Sequence, residues 1–178
     1  NPNWMPFPSP SDTDANTHLI WQNTANGSVC YWKLTPQGKL KNSTKGDGWD
    51  MVSDLKVDGA WSLVGLQENV GGDFMSDDSA THLIWQNQQM GKVVFWKLNS
   101  SGTLKNTTKD DGWGFLSDDL TVPSQWKLNG IQNDVGSNKD THLIWQSQTL
   151  GRIVYWKLND EGKLKNTSQG DGWDFLTT

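Results

Sequence analysis

The sequence contains one cysteine, Cys30, so neither an internal disulfide framework nor a cysteine-based zinc site is available to it. No apolar run approaches the ~18 residues that a membrane span requires, and mean hydropathy is −0.69. An excess of basic residues is also missing: 15 Lys+Arg stand against 20 Asp+Glu, a net charge of −5. This balance argues against duplex nucleic acid as a partner, since its binding rests on cations that neutralise phosphates. Signatures of catalysis are absent as well, with no His-Glu-x-x-His, no Gly-x-Ser-x-Gly elbow and no phosphate-cradling glycine loop. What the 178 residues do have is tryptophan, 12 of them against 2 Tyr and 5 Phe, which argues against disorder.

The tryptophans fall in register. Trp4, Trp21, Trp32 and Trp49 are followed by Trp61, Trp85, Trp96 and Trp113, and then by Trp126, Trp145, Trp156 and Trp173. The word Thr17-His18-Leu19-Ile20-Trp21-Gln22 returns at Thr81–Gln86 and Thr141–Gln146. Tyr31-Trp32-Lys33-Leu34 returns as Phe95-Trp96-Lys97-Leu98 and Tyr155-Trp156-Lys157-Leu158, and Leu40-Lys41-Asn42 and Asp47-Gly48-Trp49 each return twice as well. A threefold repeat governs every other reading of the chain. Units of about 1–56, 57–121 and 122–178 follow from it.

Within each unit apolar residues alternate with period two, the signature of strands, and no helical period is sustained. Strands are expected over 61–67, 81–86, 92–98 and 103–106, and again over 126–132, 141–146, 152–158 and 163–166. Gly27, Gly91 and Gly151 each follow a strand tryptophan by six residues, where a hairpin turn calls for positive φ. The fold expected is all-β, a β-propeller built of three four-stranded antiparallel blades per chain. Three blades are fewer than the four to eight that usually close a ring, so a homodimer forming one six-bladed ring is expected across a two-fold axis. A tightly closed three-blade monomer is the alternative.

The pattern Trp126-x-Leu128-x-Gly130, an acidic loop, His142-Leu143-Ile144-Trp145, Gly151 and Trp156 resembles the FG-GAP/VCBS-type propeller repeat. The spacing recurs from Trp21 to Gly27 and Trp32, and from Trp85 to Gly91 and Trp96. The resemblance covers essentially the whole chain and implies a lectin-like or adhesive module, secreted or at a cell surface; an opening Asn-Pro-Asn fits a trimmed leader. Relatives of this kind often hold calcium in the acidic loop. Here His18, His82 and His142 occupy the position of a liganding Asp, and Asp14, Asp78 and Asn138 retain only part of the oxygen set. Calcium prefers six to eight oxygens, so no cofactor is expected.

Glycans are the expected partner. Trp21/85/145 and Trp32/96/156 lie mid-strand and read as core. Trp49, Trp113 and Trp173 follow an Asp-Gly turn, are placed to reach solvent, and read either as platforms for a sugar ring or as packing between blades. Gln22, Gln86 and Gln146 with Asp47, Asp111 and Asp171 offer the planar groups that bind hydroxyls. His18, His82 and His142 share a strand face with those glutamines; they read as structural first and as ligand groups second. Cys30 reads as a small buried hydrophobe. Threefold repetition suits multivalent binding better than a single catalytic centre. The competing reading is a non-catalytic interaction or adhesion scaffold whose repeats are wholly structural.

Overall fold

A computed structural model describes residues 4–11, 17–70, 80–118 and 120–176. Twelve strands follow one another with no helix among the described residues, and so no helix long and apolar enough to cross a membrane. They are β1 (Trp4–Ser11), β2 (Thr17–Asn23), β3 (Ser28–Leu34), β4 (Trp49–Ser53), β5 (Ser62–Val70) and β6 (Ala80–Asn87), then β7 (Lys92–Leu98), β8 (Trp113–Phe115), β9 (Trp126–Val135), β10 (Asp140–Ser147), β11 (Arg152–Leu158) and β12 (Trp173–Phe175). Every four consecutive strands form one antiparallel sheet in simple meander order, giving three sheets, one per sequence repeat.

The hairpins between second and third strands form where the glycines require them. Gly27 takes φ 71°, Gly91 64° and Gly151 63°. The Gly27 amide donates to the Asn23 carbonyl at 2.8 Å, and Asn23 Oδ1 accepts from Ala25 and Asn26, so this turn satisfies its own backbone.

The fourth strand is not where the alternation in Leu-Lys-Asn suggested. Residues 103–106 and 163–166 contribute single bridges, Leu98 to Leu104 and Leu158 to Leu164. The chain leaves the ladder there because the side-chain oxygens of Asn106 and Asn166 cap the amides of Thr108 and Ser168, each at 2.8 Å. The strand that closes each sheet starts at the Asp-Gly-Trp tryptophan, with Trp49 opposite Trp32, Trp113 opposite Trp96 and Trp173 opposite Trp156.

The core lies between sheets. Strand pairing puts His18, Ile20, Gln22, Val29 and Tyr31 on one face of the first sheet. Ile20, Val29 and Tyr31 pack into one cluster with Leu83, Trp85, Val94, Trp96 and Leu98 from the opposite-sense face of the second sheet. The second junction repeats it, with Ile84, Val93 and Phe95 against Leu143, Trp145, Val154 and Leu158. First strands are neighbours, β5 lying against both β1 and β9. Each sheet therefore presents its His-Ile-Gln face to the next unit and its Leu-Trp face to the previous one.

Two faces have no sheet over them in the chain, and burial records it. Trp85 and Trp145 are sealed, yet Trp21 is only half-buried and Trp32 is 38% exposed, because among the described residues no sheet packs on that face of the first sheet. Of the two mid-strand tryptophan sets expected in the core, the second sheet alone has both members buried, Trp85 at 1% and Trp96 at 9% exposure.

Candidate functional site

The glutamines sit at the junctions. Gln22 Nε2 donates to the Trp61 carbonyl at 2.8 Å while its Oε1 accepts from the Leu63 amide at 2.9 Å. Gln86 repeats both bonds one unit later, to the Trp126 carbonyl at 3.1 Å and from the Leu128 amide at 2.9 Å. A primary amide has one donor and one acceptor edge, and a strand exposes a carbonyl and an amide two residues apart, so one Gln holds both. Among the described residues no strand of a following unit lies against Gln146; its Oε1 accepts from Asn129 Nδ2, within its own sheet, at 2.6 Å. Replacing Gln22 by Met leaves a buried carbonyl and a buried amide without partners, which costs about 1–3 kcal/mol. Within one chain Gln146→Met strands no junction partner and, in protein dilute enough to be monomeric, is expected to cost less than about 0.5 kcal/mol; urea midpoints of the two variants make the comparison.

The histidines lie in the same junctions. His18 stacks on Tyr31 with ring centroids 4.5 Å apart, His82 on Phe95 at 4.5 Å and His142 on Tyr155 at 4.4 Å. The loop of the following unit closes over the first two. A Cβ at Gly102 would stand 2.5 Å from His18 Nδ1, and one at Gly162 2.6 Å from His82 Nδ1, so both loops need glycine there, and both take φ near +75°. Neither ring nitrogen of His82 has a hydrogen-bond partner. Burial, with the Lys97 charge adding to it, pushes the His82 imidazole down to about 3, and it stays neutral at physiological pH. Burial lowers His142 too.

The Asp-Gly-Trp turns lie outside the junction core and are internally bonded. Asp47 Oδ1 pairs with Lys41 at 2.8 Å and its Oδ2 accepts from Asn42 Nδ2 at 2.5 Å. Asp111 pairs with Lys105 at 2.8 Å and accepts from Asn106; Asp171 pairs with Lys165 at 2.6 Å and accepts from Asn166 at 2.5 Å. The lysine and then the asparagine hold all three carboxyls below the usual range. Each tryptophan donates Nε1 across the turn, to the carbonyls of Ser43, Thr107 and Thr167 at 3.1, 3.2 and 3.1 Å. Their rings are half-buried, and Trp113 packs against the first junction's cluster.

Asp47 and Trp49 are thus brought together within one turn, and so are Asp111 with Trp113 and Asp171 with Trp173. The glutamines and histidines are not brought to them within a sheet: Trp49 is cross-strand from Trp32, on the face opposite His18 and Gln22. Sequence reasoning passed over Lys41, Lys105 and Lys165, and placed Asn106 and Asn166 at the ends of expected strands. The recurring five-residue spacing from Asn to Asp was the available signal.

A cleft of about 420 Å³ opens between the first and second units. Lys45, Asp50, Ser53, Asp54, Asn106 and Thr107 supply its polar groups and Met51, Leu55 and Leu104 its apolar ones. It is held by the Leu104 amide, which donates to the Val52 carbonyl at 2.7 Å. Among the described residues no aromatic ring lines it.

Among the described residues no three His, Cys, Asp or Glu side chains are grouped to hold a metal. Asp14 and Asp78 of the acidic loops lie outside the described residues. Cys30 is buried, and burial pushes its thiol up to about 11, so it is protonated and unreactive near neutrality.

Compared with protein-family models, with curated proteins and with solved structures, the chain matches none.

Proposed function

We propose that this chain is a non-catalytic interaction module, a β-propeller-type array whose repeated polar residues hold its blades together. The double use of Gln22 and Gln86 carries this reading, since both edges of both amides are spent on the next first strand. Buried histidines and lysine-paired aspartates follow the same logic: each repeated group has a partner or a packing role inside the molecule. Function then belongs to outer surfaces and exposed ends. A six-bladed ring of two copies is the closed form of such an array, and a secreted or surface setting accords with it. Replacing Trp49, Trp113 and Trp173 together by Ala is expected to lower stability, with a broad glycan array silent for wild type and variant alike. Strong array binding that the triple variant abolishes would overturn this reading.

A second reading, carbohydrate binding, is favoured by the cleft between the first two units. Lys45, Asp54 and Thr107 there could meet sugar hydroxyls. In that case array binding is expected to fall about tenfold or more in a Lys45→Ala, Thr107→Ala double variant, with no change in stability.

A further inference from the structure

The two internal junctions are built from the same contacts, and together they define what each face of a sheet takes. The forward face contributes the glutamine amide, a carbonyl at Val52 or Leu116, and a histidine. The backward face of the next unit answers with a first-strand carbonyl and amide, the amide of Leu104 or Leu164, and the glycine of its loop.

At the third sheet the forward half stands without its counterpart. Leu176 occupies the place of Val52 and Leu116, and is 49% exposed where they are 1% and 2%. Ile144 and Tyr155 are half-buried where Ile84 and Phe95 are sealed. Nothing lies within 4 Å of a Cβ built on Gly151, whereas Gly27 and Gly91 abut the backbone of Val57 and Val122. At the first sheet the backward half stands open. Leu40, in the place of Leu104 and Leu164, is 42% exposed, and Gly38, at φ 73°, has nothing within 4 Å where Gly102 and Gly162 meet a histidine.

These two surfaces are the halves of one junction. We propose that the open face of the third sheet takes the first sheet of a second copy, and that the reciprocal contact closes a two-copy ring. The proposal rests on the blade-array reading above and specifies its seam. In that seam the Leu40 amide donates to the Leu176 carbonyl of the other copy and the Gly38 loop closes over His142. The Gln146 amide turns from Asn129 to the Trp4 carbonyl.

One bond of the internal clamp is missing from the seam. Pro6 is opposite Trp21, as Leu63 is opposite Trp85 and Leu128 opposite Trp145. Proline has no N–H to give, so Gln146 Oε1 finds no counterpart of the Leu63 and Leu128 amides. The seam is accordingly weaker than the junctions within a chain, and association is reversible.

Sedimentation equilibrium over concentrations up to about 100 μM tests this by mass action. The expected species has twice the 20.0 kDa of one chain. Leu176→Asp, at an exposed position, is expected to return it to monomer with an unchanged circular dichroism spectrum. Gln146→Ala should raise the dissociation constant about tenfold, and Pro6→Leu should lower it. A monomer throughout, a dimer indifferent to Leu176→Asp, or open-ended growth into larger species would each overturn the seam. The blade-array reading fails separately, if Gln22→Met leaves the urea midpoint unmoved.

Discussion

Trp85→Ala is expected to destabilise the protein by about 3–5 kcal/mol, the range for emptying a buried aromatic site. That is a large part of the roughly 5–15 kcal/mol that holds a typical domain folded, and a fall in Tm of roughly 10 °C or more should accompany it. Trp85 is sealed in the first junction, 4.9 Å from the tilted ring of Trp96, in one cluster with Ile20, Val29 and Tyr31 of the preceding sheet. The repeat supplies an internal control. Trp21 sits in the same six-residue word and packs on Trp32 at 4.7 Å with a similar tilt, but no sheet covers it. In protein dilute enough to be monomeric, Trp21→Ala is expected to cost about half as much or less. Equal losses, read from urea unfolding, would mean that each sheet is stabilised within itself and that the cores between sheets contribute little.

Stability is expected to fall as pH drops from 6.5 towards 4.5, before most carboxylates titrate. His82 is ordinary in the unfolded chain, near 6.5, and is pushed to about 3 in the folded one. Between those values the unfolded state binds the proton and the folded state does not, so lowering the pH favours unfolding. Stability is complete above 6.5 and diminishes by at most about 1.4 kcal/mol per pH unit below it, roughly 2–3 kcal/mol by pH 4.5. Desolvation is the main cause: the ring is covered by the Gly162 loop and stacked on Phe95, with neither nitrogen hydrogen-bonded. His142 titrates in the same direction. The three lysine-paired aspartates add their own acid sensitivity only below their ordinary range, since their carboxyls are already lowered. A His82→Gln variant is expected to flatten the decline between pH 6.5 and 4.5, whatever its stability at neutral pH. An unchanged slope would assign the acid sensitivity to other groups.

The repeat, the strand type and the second and third strands were legible in the sequence, because hydrophobic alternation and turn glycines are local signals. The fourth strand was misplaced for a physical reason. Leu104-Lys105-Asn106 alternates as convincingly as Trp113-Gly114-Phe115, and only the cap from Asn106 to the Thr108 amide shows that the first of them turns away. Burial of the tryptophans could not be read from their words either. Trp21 and Trp85 occupy identical six-residue words and differ in whether another described sheet packs over them. The glutamines were visible as repeated polar residues, but their partners lie about 40 residues downstream, beyond any local pattern. Nothing in Gln22 itself says whether its amide will meet a sugar or a strand. The Lys-Asn-Asp staple of each turn was within reach, since its spacing recurs unchanged at Asn42–Asp47, Asn106–Asp111 and Asn166–Asp171.

The claim that repeated amides join one sheet to the next is tested most directly by native-state hydrogen exchange at the Leu63 and Leu128 amides. Both are expected to be strongly protected in the wild type. Gln22→Ala should release Leu63 while leaving Leu128 protected, and Gln86→Ala should do the reverse. Fast exchange at either amide in the unaltered protein, or protection that neither substitution disturbs, would contradict it.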